Sequence, residues 1–156
     1  MSVWAFNVTT MAATEYRNMP FDSLITRKGV TFGVLPDGLY VLQGADDEGE
    51  PIEAHVRTGL LDLGTEGRKA VRKAALYVKS DQLVYLKVVY DDGGTRSEIW
   101  YELAAASGDP LHHRRVDIGR GAKGSRWAFE VSNVDGGELD LRGLDVFPVV
   151  LARRDG

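Results

Sequence analysis

The feature that most constrains this chain is the stretch from Arg114 to Arg154, RRVDIGRGAKGSRWAFEVSNVDGGELDLRGLDVFPVVLARR, in which short apolar runs alternate with glycine turns and basic residues. Runs this short, bounded by Gly, Asp and Asn, suit strands and leave no room for an amphipathic helix. The rest of the chain repeats the theme of strand, tight turn and charged edge. Eighteen glycines against five prolines, scattered and not clustered, fit many tight turns, because the turn types that join twisted strands need positive φ. The expectation is an all-β fold.

A length of 156 residues suits one ordinary domain or two small, closely joined subdomains. The absence of cysteine removes a disulfide framework, a thiolate nucleophile and a cysteine zinc site together. The segment MSVWAFNVTT lacks a basic run followed by a long apolar one, and no apolar run approaches the ~18 residues of a spanning helix, so a membrane role is not expected. Production in the cytoplasm follows as an expectation. A net charge of -4 argues against general nucleic-acid binding, although Asp46 to Glu53 is acidic and Arg114 to Arg126 basic.

Residues 3 to 43 read as about four short antiparallel strands, including a hairpin around Leu35-Pro36-Asp37-Gly38, in the style of a propeller blade. This defines an N-terminal subdomain over residues 1–45. A small antiparallel β-sandwich is expected over residues 51–156. It begins with Ile52 to Thr58, whose Ile52, Ala54 and Val56 should face inward, and continues with Ala70 to Lys79 as strand in preference to helix. Leu76 to Leu103 reads as a three-strand meander with Asp91-Asp92-Gly93-Gly94 as one turn. Arg114 to Ile118, Trp127 to Asn133, Glu138 to Leu141 and Leu144 to Leu151 supply four more strands, at the ten-residue spacing of a sandwich. Trp127, Phe129 and Val131 alternate as core.

No catalytic constellation emerges. His112 and His113 are adjacent and would point to opposite faces of a strand, and His55 reads as a surface imidazole. The tip Asp46-Asp47-Glu48-Gly49-Glu50 lacks the spacing of a calcium loop. Gly119 to Arg126 is glycine-rich and basic but is not a Walker loop, and it reads as a hairpin between Val116-Asp117-Ile118 and Trp127-Ala128-Phe129. Neither a nucleophile elbow nor a marked carboxylate pair is present. The expectation is a protein without enzymatic activity, cofactor or metal. Its candidate interface residues are Asp46, Asp47, Glu48 and Glu50 on one side, and Arg114, Arg115, Arg120, Lys123 and Arg126 on the other. Carboxylates of one copy and guanidinium groups of another would then fix register across an assembly.

Trp4, Asn7 and Thr9, Glu15-Tyr16-Arg17-Asn18 with Phe21-Asp22-Ser23, Asp37 to Gly44 and Thr58 to Gly64 form a set of motifs across the chain. Arg120-Gly121 leading into Arg126-Trp127-Ala128-Phe129-Glu130, Asn133-Val134-Asp135-Gly136, and Pro148 with Leu151, Arg153 and Arg154 complete it. Together they resemble structural proteins of tailed bacteriophages. The resemblance implies a virion protein of the tail tip or baseplate, assembled in the host cytoplasm. It also implies several copies, as a homo-oligomer or ring, packed on other tail proteins. A carbohydrate-binding β-sandwich for host attachment is the alternative, with Trp4, Trp100, Tyr101 and Trp127 as the aromatic rings that would stack on sugars.

Overall fold

A computed structural model describes residues 2–6, 8–9, 13–17, 19–44, 46–47, 49–105 and 112–151. Their regular structure is all strand, in several small antiparallel sheets, with no helix among the described residues. Two compact units divide the chain, Met1–Gly44 and Ala45–Gly156.

In the first unit, β1 (Ser2–Phe6) pairs with β2 (Ala13–Arg17). Separately, β3 (Ser23–Arg27), β4 (Val30–Leu35) and β5 (Gly38–Leu42) make a three-stranded meander. The single four-stranded blade expected here is replaced by a ladder of two strands and a sheet of three. Pro20 lies between them, and a residue without an N–H cannot carry a ladder across that junction. Among the described residues of this unit only Gly33 is buried. A Cβ at Gly33 would lie 2.4 Å from the Phe21 ring, so glycine is what lets Phe21 close down on the sheet.

The second unit starts with a small hairpin of β6 (Asp46–Asp47) and β7 (Glu50–Pro51), followed by β8 (His55–Arg57). The long strands are β9 (Lys69–Lys79), β10 (Val84–Asp92), β11 (Thr95–Leu103), β12 (His112–Asp117), β13 (Arg126–Asn133) and β14 (Asp140–Val150). They form one sheet in the order β11-β10-β13-β8 and another in the order β12-β9-β14. Gly93 and Gly94 (φ 65° and 91°) form the two-residue turn from β10 to β11, a conformation open to glycine at little cost.

Alternation then sorts side chains. Val71, Ala74, Leu76 and Val78 of β9 join Leu86 and Val88 of β10 and Trp127, Phe129 and Val131 of β13 in one buried cluster. Trp127 is fully buried, its indole N–H donates to the Gly124 carbonyl at 3.2 Å, and the Tyr90 ring lies 5.4 Å away. The expected core of Trp127, Phe129 and Val131 and the strand over Ala70 to Lys79 are therefore observed.

Four other expectations change. The three-strand meander over Leu76 to Leu103 does not form, because β9 pairs with β12 and β14 while β10 and β11 belong to the other sheet. Gly119 to Arg126 is not a hairpin but a crossover, since β12 and β13 lie in different sheets. Ala122 is buried in it, and Gly124 exchanges backbone hydrogen bonds with Lys69. Glu138 to Leu141 and Leu144 to Leu151 merge into the single strand β14, with irregularities at Leu141/Gly143 and Phe147/Pro148. Ile52 and Val56 are 43% and 55% exposed in place of being core; Val56 does share a face with Val131, but at the rim of its sheet.

Candidate functional site

The charged residues singled out from sequence occupy separate places. Asp46, Asp47 and Glu50 are exposed on the β6–β7 hairpin. Glu48, Asn7, Asn18, Arg153 and Arg154 lie outside the described residues. Arg114 and Arg115 point to opposite faces of β12, and the Arg114 guanidinium donates to the Ala105 carbonyl at 3.1 Å. Arg120 and Lys123 are exposed on the crossover, and Arg126 is exposed at the start of β13. None of the ion pairs among the described residues joins the acidic set to the basic one.

Sequence reasoning missed the polar ladder on the outer face of the four-stranded sheet. Alternation puts Tyr85 and Lys87 of β10 beside Glu98, Trp100 and Glu102 of β11. Lys87 Nζ lies 3.0 Å from Glu98 and 4.6 Å from the centre of the Trp100 ring, and Trp100 meets Tyr85 edge to face at 6.0 Å. The Lys87 ammonium, then the Trp100 N–H, hold the Glu98 carboxyl below its usual range. On the other flank Arg57 pairs with Glu130 at 3.6 Å. The legible signal was the i, i+2 spacing of Tyr85/Lys87 and Glu98/Trp100 in two strands joined by a glycine turn.

Of the four aromatic residues considered for sugar stacking, only Trp4 and Trp100 are well exposed, at 55% and 49%. They belong to different units. Tyr101 shares the inward face of β11 and packs on the core, and Trp127 is buried.

A second feature missed from sequence is Lys69, fully buried at the start of β9. Its Nζ donates to the Thr65 and Ser125 carbonyls, each at 2.6 Å, and so ties the loop before β9 to the crossover before β13. Burial lowers its pKa from the usual lysine range, with the Asp62 carboxylate acting in the opposite sense. A closed, carbonyl-capped ammonium is a latch, not a nucleophile open to substrate.

Apolar surface is the more telling feature. A groove of about 360 Å³ runs between the rims of the two sheets, lined by Val56, Leu61, Phe129, Leu141, Leu144 and Val146. In the first unit, β3, β4 and β5 place Ile25, Phe32 and Val41 in one cross-strand row and Val34 and Leu39 in the next, all on one face. Ile25, Leu39 and Val41 are 56%, 62% and 52% exposed. Among the described residues no three His, Cys, Asp or Glu gather to hold a metal ion, and no helix is long and apolar enough to cross a membrane. No family model, curated protein or solved structure matches this chain.

Proposed function

We propose that this chain is a non-enzymatic structural protein that works by packing against other protein chains. The resemblance of its sequence motifs to those of tailed-phage structural proteins suggests a setting for that role, the tail tip or baseplate of a virion. The observation that carries the reading is the first unit: five short strands, one buried residue among those described, and a face with half-exposed Ile25, Leu39 and Val41. A layer of strands becomes stable by covering its apolar face, and a face left open is a surface for a neighbour.

The second unit is read as a small β-sandwich, on the ground that its two larger sheets feed one buried cluster. It would act as the rigid body of the subunit. The exposed carboxylates of the β6–β7 hairpin and the exposed Arg115, Arg120, Lys123 and Arg126 are proposed to meet between copies, where opposite potentials fix register. The test is the mass of the purified chain by light scattering after size exclusion, at low and high salt. Assemblies heavier than the 17.1 kDa chain at low salt, reduced at high salt, are expected. A monomer at every concentration and salt would refute the reading.

The alternative is sugar binding at the outer face of the four-stranded sheet, favoured by the exposed Trp100 with Glu98 and Glu102 on the same face. Binding of soluble oligosaccharides that is lost in Trp100→Ala would support it over assembly.

A further inference from the structure

We propose that the Ile25, Phe32 and Val41 face of the three-stranded sheet is a contact between two copies of this chain, each covering the same face of the other. The inference rests on the assembly reading and names one of its interfaces. Three observations select this face and this occupant.

The opposite face of the sheet is covered at its centre, although Leu24 on that face is 45% exposed. Phe21 closes over Gly33 there, with its ring 5.8 Å from Tyr40. Among the described residues the Ile25 side has no such cap, and within β3, β4 and β5 it carries Val30, Val34 and Leu39 besides the central row. An apolar layer of this kind is closed by a second sheet about 10 Å away whose side chains interdigitate with it.

Charge then selects the partner. Alternation leaves Ser23 and Arg27 as the polar residues on this face of the three strands, with no carboxylate. A strongly charged partner finds nothing there but one rim cation, whereas a second copy brings an equally apolar, self-complementary surface, as a two-fold contact requires.

The size of the face sets the affinity. Three strands about 4.8 Å apart, with five residues at about 3.4 Å each, cover a footprint of about 240 Å², or on the order of 400 Å² of accessible surface per copy. Two copies bury on the order of 800 Å², below the ~1,200 Å² of standard stable interfaces. The contact is therefore a weak, reversible dimer with a dissociation constant in the micromolar range or above, one element of a larger assembly and not a permanent pair.

Sedimentation of the full chain across a concentration series at about 1 M salt isolates this contact, because ionic contacts are screened over ~3 Å there. The expected result is a reversible monomer–dimer equilibrium. Ile25→Lys and Val41→Lys should each weaken it at least about tenfold with an unchanged far-UV spectrum, since both side chains are already more than half exposed, while Trp100→Ala should leave it unchanged. As a second readout, Val41→Cys introduces the only thiol in a cysteine-free chain, and its alkylation should slow as the dimer fills. Assembly at low salt with only monomer at high salt would overturn the apolar contact and leave the assembly reading standing. A dimer that survives both lysine variants, or a Val41→Cys thiol alkylated equally fast in monomer and dimer, would likewise overturn it alone. Monomer under all conditions would overturn both.

Discussion

Replacing Asn133 should loosen the rim of the four-stranded sheet more than any other single polar change. Its Oδ1 accepts from the Ala54 N–H at 2.7 Å, and its Nδ2 donates to the Ile52 carbonyl at 3.0 Å and the Gly137 carbonyl at 2.9 Å. One side chain, 8% exposed, thus holds both the segment entering β8 and the turn leaving β13. Three bonds at a net ~1 kcal/mol each give about 3 kcal/mol for Asn133→Ala; the buried Gly137 carbonyl adds to the loss, while water reaching the exposed Ile52 and Ala54 subtracts from it. For a chain of this size that is a fall in Tm of roughly 6–12 °C. Asn133→Asp is the sharper test. It keeps an acceptor for Ala54 but turns a carboxylate toward two carbonyls, so at neutral pH it should cost more than alanine. Those carbonyls would raise the folded-state pKa of the new carboxyl, so its penalty should shrink as pH falls and the acid protonates. Thermal melting of the three proteins at neutral and acid pH, with hydrogen exchange at Ala54, measures this. A loss below about 1 kcal/mol for alanine, or identical behaviour of the alanine and aspartate variants across pH, would refute the clamp.

Other outcomes follow from the same physics. A Cβ at Gly124 would lie 2.7 Å from the Asp91 carbonyl oxygen, so Gly124→Ala should cost about 1–3 kcal/mol in urea denaturation, whereas Gly121→Ala, with open space around it, should stay within about 0.5 kcal/mol. The depressed folded-state pKa of Glu98 means that its contribution is present above the ordinary glutamate range and lost as pH falls through the folded value. Glu98→Gln should flatten that part of the acid limb of the stability profile, and an unchanged limb would show the Lys87 pair to be inert. Lys69 works in the other direction: its folded pKa lies below 10.5, so the unfolded chain holds its proton longer and stability gains as pH rises through that window. Relative to Lys69→Met, which cannot titrate, the wild-type protein should gain stability on the alkaline side, and parallel profiles would contradict this. At neutral pH, Lys69→Met should destabilise, by orphaning the Thr65 and Ser125 carbonyls.

Strand positions were legible because the signals are local. Alternation in Trp127-Ala128-Phe129-Glu130-Val131 and the glycine pair at Gly93-Gly94 report backbone shape within a few residues, and the fold has the strand and the turn where these signals place them. The latch at Lys69 was not legible, since a lysine beside Ala70 and Val71 looks like the charged end of a strand until residues 56 positions away supply its second carbonyl. Asn133 showed in sequence only as the end of the strand that starts at Trp127 and as the first residue of the Asn133-Val134-Asp135-Gly136 motif. Its partners Ile52 and Ala54, some 80 residues upstream, make it a clamp.

By itself, then, the sequence determined an all-β chain, the approximate position of its long strands, and the inward set around Trp127, because side-chain period and turn chemistry are properties of neighbouring residues. Tertiary structure alone decided that β9 leaves β10 for the other sheet, that Gly119 to Arg126 crosses between sheets, and that the first unit splits into two strands and three. Period-two alternation says which side of a strand is apolar and is silent on which strand lies beside it. That choice rests on long-range packing, in which Trp127 needs Gly124 and Tyr90 around it, and Lys69 needs Thr65 and Ser125. The same holds for the proposed assembly surface: Ile25 and Val41 look like ordinary core residues in sequence, and only the fold reveals that they are more than half exposed.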